Sequence, residues 1–215
     1  MRHTGLLLDL DGTMVDSEPL QRAGYAAFFG GREWPAPDLA LFTGRRAEDV
    51  FATEPGPWTG HDLDALATEV RALVPRDVPP EVVPGARECV LAAAEAGIPV
   101  AIVTSARPDW VALAVGRGMG VLDRIDLIIT ADDVTDGKPD PAGFLLACSR
   151  LGISPAGAVA VEDSLAGIRA ASAAEIGHVV GVTTSVTAAE LTAAGAHASY
   201  ADLRPLAVEL AQMAR

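Results

Sequence analysis

The chain has 215 residues, of which 50% are hydrophobic and 21% are charged, enough for one globular core domain with a modest insertion. Its net charge of −13 repels phosphate backbones and anionic lipid, so we expect no nucleic-acid partner and no membrane partner. Two cysteines, Cys89 and Cys148, cannot form a disulfide framework, and the first apolar run ends at once in Asp9 and Asp11. We therefore expect no signal peptide and a cytoplasmic location.

Five short apolar runs predict strands, and each run ends in a polar cluster. They span residues 6–10, 98–103, 127–129, 158–161 and 179–182. Near-continuous runs of Val, Ile and Leu are typical of strands in a parallel sheet that is covered on both faces. Helix-like segments alternate with them at residues 86–96, 108–117, 141–151, 165–174 and 188–194. This alternation predicts an α/β fold, a Rossmann-like, doubly wound and mainly parallel sheet.

The alternation is interrupted after the first strand. From about residue 17 to residue 83 no strand-like run appears, and helices are predicted near 18–29, 46–52 and 63–73. A connection of this length is too long for a loop. We therefore expect an α-helical cap domain at 17–83, inserted into a core domain formed by 1–16 and 84–215.

Two pairs of carboxylates stand at the ends of predicted strands. The pair Asp9 and Asp11 follows the first strand, and Glu162 and Asp163 follow the fourth. Taken alone, the first pair is explained by the preference of Asp for turns. The second pair, taken alone, is explained by the favourable position of carboxylates at the N-terminus of the next helix. Ligands bind at the carboxyl ends of such strands, where adjacent carboxylates repel unless a cation lies between them or one holds a proton. Together the four residues would form an oxygen-ligand site that suits Mg²⁺.

Two further features lie near predicted strand ends. Thr104 and Ser105 end the second strand, where hydroxyls and backbone amides can hold a phosphate oxygen. Taken alone, they are better explained as a cap for the next helix. Lys138 is the one lysine beside fifteen arginines. Either this is chance, or the site needs a compact ammonium rather than a guanidinium.

Together these clusters resemble the haloacid dehalogenase superfamily of phosphotransferases. Four motifs stand in the family's order, namely D-L-D-G-T at 9–13, V-T-S at 103–105, G-K-P-D-P at 137–141 and V-E-D-S at 161–164. The helical insertion and the V-D-S-E-P run at 15–19 resemble the subgroup of β-phosphoglucomutases and small sugar-phosphate and glycerol-phosphate phosphatases. The resemblance implies a Mg²⁺-dependent phosphatase for a small phosphorylated metabolite, such as a sugar or polyol phosphate.

The resemblance also implies a role for each motif residue. Asp9 would attack phosphorus and form an aspartyl phosphate, and Asp11 would protonate the leaving alcohol and then activate water. Lys138 would bridge the nucleophile and the phosphate. The phosphoryl oxygen would be held by Thr104 and Ser105, and Mg²⁺ by Asp9, the main-chain carbonyl of Asp11, Glu162 and Asp163.

Four other functions are weighed against this one. True dehalogenases lack the second Asp of the first motif, whereas Asp11 is present. β-Phosphoglucomutases usually carry a histidine where this chain has Gln21, which weakens a mutase assignment. A phospho-accepting signalling domain would be shorter and would have no helical insertion. A catalytically silent binding module would lack one of the four motifs.

We expect the insertion to determine substrate specificity. Arg45 and Arg46, which follow Thr43 and Gly44, are the candidate substrate contacts, with a solvated helix start as the equally weighted alternative. The tryptophans Trp34, Trp58 and Trp110 are expected to pack rather than to stack on a sugar. We expect a monomer or a weak homodimer.

Overall fold

The computed structural model of the protein describes residues 3–35, 37–42 and 45–213. The strands are β1 (Gly5–Leu8), β2 (Val15–Asp16), β3 (Glu81–Val82), β4 (Val100–Val103), β5 (Leu127–Ile129), β6 (Ala158–Glu162), β7 (His178–Val182) and β8 (Ala198–Tyr200). The helices are α1 (Glu18–Gly30), α2 (Ala47–Thr53), α3 (Leu63–Leu73), α4 (Ala86–Glu95), α5 (Pro108–Val111), α6 (Ala142–Leu151), α7 (Leu165–Ala173), α8 (Ala188–Ala194) and α9 (Arg204–Met213). Within the described ranges, six strands form one parallel sheet in the order β5-β4-β1-β6-β7-β8. The predicted parallel α/β fold is confirmed.

Helices cover both faces of this sheet, and side chains of β1 alternate between them. Leu6 and Leu8 pack with residues of α4 and α9 on one face, and Leu7 packs with residues of α6 and α7 on the other. All three leucines are fully buried. Because successive residues of a strand point to opposite faces, a strand covered on both sides must be apolar throughout. This explains the near-continuous apolar runs of the sequence.

The place of β1 in the sheet brings the polar strand ends together. It pairs with β4 on one side and with β6 on the other. Asp9 therefore follows β1 beside Thr104, which follows β4, and beside Glu162, which ends β6. The amide of Asp9 donates to the carbonyl of Val161 over 3.0 Å, which holds the first residue after β1 against its neighbour.

The segment between β2 and β3 has its own core. Helices α1, α2 and α3 surround a cluster that includes Phe28, Phe29, Phe51 and Trp58. Of the ten aromatic residues in the chain, seven lie in residues 17–83, so the sheet itself is packed mainly with aliphatic side chains. The three helices lie within one residue of their predicted bounds. Thr43 and Gly44 lie outside the described residues.

No strand-like run appears in the sequence of residues 17–83, yet a two-residue strand, β3, lies at the end of this segment. β3 pairs antiparallel with β2, and the amide of Val83 donates to the carbonyl of Met14 over 3.0 Å. A strand of two exposed residues leaves no apolar run in the sequence, so it cannot be recognised there. It pairs with β2 because the chain leaves the core and comes back to it at adjacent positions.

Other local boundaries also differ from the prediction. The first strand ends at Leu8 rather than at residue 10, and the helix that begins at Pro108 continues as a π-helix over Ala112–Met119. Strand β8 and helix α9 were not predicted. In the described part of the chain, no helix is long and apolar enough to cross a membrane.

Candidate active site

A cavity of about 140 Å³ lies between the carboxyl ends of the sheet strands and the helical insertion. Its core wall includes Asp9, Asp11, Gly12, Thr104, Ser105, Arg107, Trp110, Asp163 and Ser185. Its insertion wall includes Glu18, Gln21, Arg22, Tyr25, Phe42, Arg45, Arg46, Glu48 and Arg71. Residues from three of the four predicted motifs therefore border one space, although they are far apart in the sequence.

Lys138 lies behind this wall as a buried cation between two carboxylates. Its Nζ is 2.5 Å from Asp9 Oδ1 and 2.5 Å from Glu162 Oε1, and it donates to the carbonyl of Val103 over 3.0 Å. Burial alone lowers the pKa of the ammonium, but the Asp9 and Glu162 carboxylates raise it above its ordinary value. Lys138 is therefore a fixed positive charge beside Asp9.

Three buried carboxylates converge next to this lysine. Asp9, Glu162 and Asp163 each offer an oxygen, and these oxygens lie within 4.8 Å of one another. Burial raises the pKa of Glu162 to about 7, an effect that Lys138 opposes and Asp9 reinforces. Burial, together with the charges of Asp9 and Glu162, also raises the pKa of Asp163 well above its ordinary value. Three carboxylates facing one ammonium leave negative charge that a cation would neutralise.

The donor set fits a hard divalent metal ion. All of its side-chain donors are oxygens, the ligands that Mg²⁺ and Ca²⁺ prefer. Asp163 Oδ1 is buried without a hydrogen-bond partner among the described residues, and the hydroxyl of Ser185 donates to Asp163 Oδ2. The side chain of Asp11 is not in this cluster, so any contribution from Asp11 falls to its main-chain carbonyl, as expected from the resemblance.

Two glycines allow the close packing of the carboxylates. Gly12 has a φ of +84°, and a Cβ at this position would collide with the Asp163 carboxylate. A Cβ at Gly167, in the first turn of α7, would collide with the Glu162 carboxylate. The helix cap at Ser164, whose hydroxyl accepts from the Gly167 amide over 3.0 Å, fixes this approach.

Asp11 has a different environment from the metal cluster. The indole Nε1 of Trp110 donates to Asp11 Oδ1 over 2.8 Å. Burial raises the pKa of Asp11 to about 6; the hydroxyl of Ser17 and the indole of Trp110 oppose this shift, and Asp9 adds to it. A carboxyl group with such a pKa can give and take a proton near neutral pH.

Thr104 and Ser105 border the cavity beside the two aspartates. Thr104 Oγ1 accepts from the Ala106 amide over 3.0 Å, and helix α5 begins after Arg107 as its N-cap residue. The alternative that these hydroxyl residues cap the next helix was therefore wrong. They form a turn between β4 and α5 that faces the cavity.

Arg46 borders the cavity and connects the insertion to the core. Its guanidinium bonds Asp49 on the insertion, with Nε 2.7 Å from Oδ2, and donates to the main-chain carbonyl of Thr135 over 2.8 Å. Two longer contacts, each of 3.4 Å, reach the carbonyls of Ala131 and Val134. Arg46 thus contacts residues of the loop that precedes Lys138.

Arg45 also borders the cavity, and its contacts lie within the insertion. It donates to Glu54 over 2.8 Å and to Thr53 over 2.7 Å. Both arginines therefore have protein partners, and they differ in that Arg46 alone of the two crosses to the core.

Sequence reasoning missed three residues of the site. Trp110 was expected only to pack, yet its N–H contacts Asp11. Ser185 and Thr184, which follow β7, contact Asp163 and the carbonyl of Gly12. Their signal was the hydroxyl-rich stretch at the end of a predicted strand, the same signal that drew attention to Thr104 and Ser105. Trp34 and Trp58 pack in or against the aromatic cluster, as predicted.

Comparison with known proteins identifies the family to which the chain belongs. Residues 3–175 match the haloacid dehalogenase-like hydrolase family. The chain is 40% identical to validoxylamine A 7'-phosphate phosphatase of Streptomyces hygroscopicus subsp. limoneus, over 87% of this chain and 89% of that protein. It is 34% identical to hexitol phosphatase A of Escherichia coli, over 85% and 84% of the two chains.

The fold is likewise shared with solved structures. A hydrolase from Pseudomonas syringae superposes with a TM-score of 0.84 at 24% identity, and the match covers 99% of this chain and all of that one. The chain belongs to the haloacid dehalogenase-like hydrolase family, and the resemblance seen in the sequence is confirmed.

Proposed function

We propose that this family member is a Mg²⁺-dependent phosphatase that hydrolyses a small sugar or polyol phosphate through an aspartyl-phosphate intermediate. The observation that carries the proposal is the pairing of Asp9 with a buried lysine, 2.5 Å away, at the edge of a cavity that Asp11 also borders. A nucleophile, a fixed cation and a proton-exchanging carboxyl around one space are the groups that phosphoryl transfer requires.

In the first step Asp9 attacks phosphorus. A bond forms between its carboxylate oxygen and phosphorus, the bond from phosphorus to the alcohol oxygen breaks, and Asp11 gives its proton to that oxygen. Lys138 offsets the charge of the transferring group, and Thr104 and Ser105 hold its oxygens.

In the second step water cleaves the aspartyl phosphate. Asp11, now a carboxylate, takes a proton from the water, whose oxygen attacks phosphorus while the bond to Asp9 breaks. Inorganic phosphate leaves, and both aspartates return to their starting states. Mg²⁺ held by Asp9, Asp163, Glu162 and the Asp11 main chain would supply positive charge next to the phosphoryl oxygens.

We assign residues 17–83 as a cap domain and residues 1–16 with 84–215 as the core domain. The separate aromatic cluster of the insertion supports this division, and so does the position of its helices over the cavity. The cap then encloses the alcohol part of the substrate while the core transfers the phosphoryl group.

The relatives' names support a hydroxylated leaving group. A phosphatase of validoxylamine A 7'-phosphate and a hexitol phosphatase are similar to this chain over most of its length. The mutase alternative is weaker because Gln21, on the insertion wall of the cavity, stands where the mutases usually carry a histidine.

The experiment is a phosphate-release screen over sugar, polyol, glycolate and nucleotide monophosphates, ranked by kcat/KM, with and without Mg²⁺. We expect sugar or polyol phosphates to rank first and activity to require Mg²⁺. An Asp9→Asn chain is the control for contaminating phosphatases. Conversion of β-glucose 1-phosphate to glucose 6-phosphate, without phosphate release, would favour the mutase instead.

A further inference from the structure

We propose that Trp110 is a positioning residue for the proton-donating carboxyl of Asp11. Its indole N–H engages Oδ1 and so leaves Oδ2 as the oxygen that carries the transferable proton. This inference rests on the proposed function, in which Asp11 is the acid and then the base. It concerns a residue outside the four motifs.

The contact joins two parts of the chain that are 99 residues apart. Trp110 Nε1 lies 2.8 Å from Asp11 Oδ1, and the tryptophan is only 3% exposed. The ring belongs to the apolar cluster that packs on one face of the sheet. Because a close-packed, flat ring has few ways to move, the position of its N–H group is fixed.

Asp11 has one other side-chain partner, the hydroxyl of Ser17, but a hydroxyl group can rotate and can donate or accept, whereas the indole N–H has one fixed direction. Asp11 follows β1 in a tight turn, in which Gly12 has a φ of +84°. The terminal torsion of an aspartate is broad, so its two oxygens exchange places easily. A donor at one oxygen removes this freedom and makes the two oxygens unequal.

The indole group suits this task chemically. It is a donor only, so it neither takes the proton of Asp11 nor competes for it. It can remain bonded to Oδ1 in both protonation states, because the carbonyl oxygen of the acid and an oxygen of the carboxylate each accept. The same contact therefore serves the acid step and the base step.

The chain offers a matched control in Trp58. Its Nε1 donates to the main-chain carbonyl of Glu54 over 3.1 Å, and its side chain is buried in the aromatic cluster of the insertion. Trp58→Phe and Trp110→Phe each remove one indole N–H donor from a buried ring. The first change lies in the insertion, and the second lies at the proposed acid.

The test compares leaving groups. Sorbitol 6-phosphate releases an alkoxide and needs a proton, whereas p-nitrophenyl phosphate releases a stable phenolate and does not. For Trp110→Phe we expect kcat/KM to fall by about tenfold or more with sorbitol 6-phosphate, with KM nearly unchanged, and to fall much less with the aryl ester. Trp58→Phe should change both substrates by the same factor.

Three outcomes would overturn the proposal. Equal losses of Trp110→Phe on both substrates would make Trp110 a packing residue, and full activity on both would make its N–H irrelevant. If the unaltered chain releases phosphate from neither ester and from no substrate of the screen, the proposed function is overturned and this inference with it; if another sugar or polyol phosphate is hydrolysed best, it takes the place of sorbitol 6-phosphate. If Trp110→Phe does not fold, 3-benzothienylalanine at position 110 keeps the ring shape without the N–H and must give the same split.

Discussion

The two sides of the cavity differ in whether their charged side chains are balanced by partners of opposite charge. On the core side, Asp9, Glu162 and Asp163 are buried around one lysine, and their negative charge is not balanced. On the insertion side four arginines have a carboxylate partner within the insertion, namely Arg22 with Glu18, Arg45 with Glu54, Arg46 with Asp49 and Arg71 with Glu48, and a fifth, Arg76, pairs with Asp109 of the core.

This difference separates two tasks. Unbalanced buried charge is unfavourable in the empty protein and is relieved when a cation binds, and the cation in turn offsets the negative charge of the transferring phosphoryl group. Balanced and partly exposed pairs change little on binding, so the insertion can recognise an uncharged alcohol by shape and hydrogen bonds. Packing follows the same division, because the sheet is aliphatic and the insertion is aromatic.

The largest expected effect comes from the core wall. Asp9→Asn should abolish turnover because the amide oxygen is a poor nucleophile, while the fold remains because Lys138 keeps its 2.5 Å contact with Glu162. Steady-state kinetics and thermal unfolding measure the two effects. A variant that retains more than about a tenth of the original rate would exclude the covalent mechanism.

The next effect concerns the metal. A chelator should remove activity and Mg²⁺ should restore it, whereas Ca²⁺ should inhibit because its larger and looser oxygen shell misplaces the nucleophile. Asp163→Ala should raise the Mg²⁺ concentration needed for half-maximal rate and weaken Mg²⁺ binding measured by calorimetry. Full activity in chelator would contradict the assigned site.

The core side of the site could be predicted from the sequence because of the topology of the sheet. Asp9, Thr104, Lys138 and Glu162 each sit in a short motif at or near a strand end, and adjacent parallel strands bring their ends to one edge. Their residue types also indicate a function, because carboxylates and a lysine are seldom buried for structural reasons alone.

The partners of Trp110 and Ser185 could not be predicted in this way, although Ser185 lies in a hydroxyl-rich stretch at a predicted strand end. Tryptophan and serine have many structural uses, and their partners, Asp11 and Asp163, are specified by the packing of α5 and by the path of the loop after β7. Strand β8 has only three half-buried residues, so it leaves little pattern in the sequence.

A smaller effect separates Arg45 from Arg46, two of the arginines of the insertion wall. Replacing both Arg45 and Arg46 by Ala should cut kcat/KM for the best sugar phosphate by roughly ten- to a hundred-fold, and should cut kcat/KM for a small aryl phosphate by a much smaller factor. The single variants locate the cause. Arg46→Ala alone should lower kcat/KM for both substrates by the same modest factor, because it removes contacts between the insertion and the core.

Arg45→Ala provides the contrasting measurement. Since the contacts of Arg45 lie within the insertion, its loss should affect the sugar phosphate alone if it binds the substrate. Unchanged kinetics for both substrates in Arg45→Ala would show that Arg45 is a surface residue that does not bind the substrate. A differential loss in Arg46→Ala would instead assign substrate recognition to Arg46.

The smallest effect tests the difference in charge balance between the two sides of the cavity. Removing one carboxylate charge from each side should change the free energy of unfolding of the chelator-treated protein in opposite directions. The pKa of Asp163 is raised, so its ionisation opposes folding, and Asp163→Asn should raise the free energy of unfolding at pH 7. The pKa of Glu48 is lowered: burial opposes the shift, but hydrogen bonding and the charges of Arg71 and Arg107 outweigh it. Its ionisation therefore favours folding.

Glu48→Gln should accordingly lower the free energy of unfolding at pH 7, by about 0–1 kcal/mol for a partly exposed pair. As the pH falls below the ordinary carboxyl range, the carboxyls become neutral and both variants should approach the unaltered chain. Urea unfolding at pH 7 and at progressively lower pH, with chelator, measures both differences. Changes of the same sign would show that the two walls do not differ in their charge balance, and the division of tasks drawn from them would be wrong.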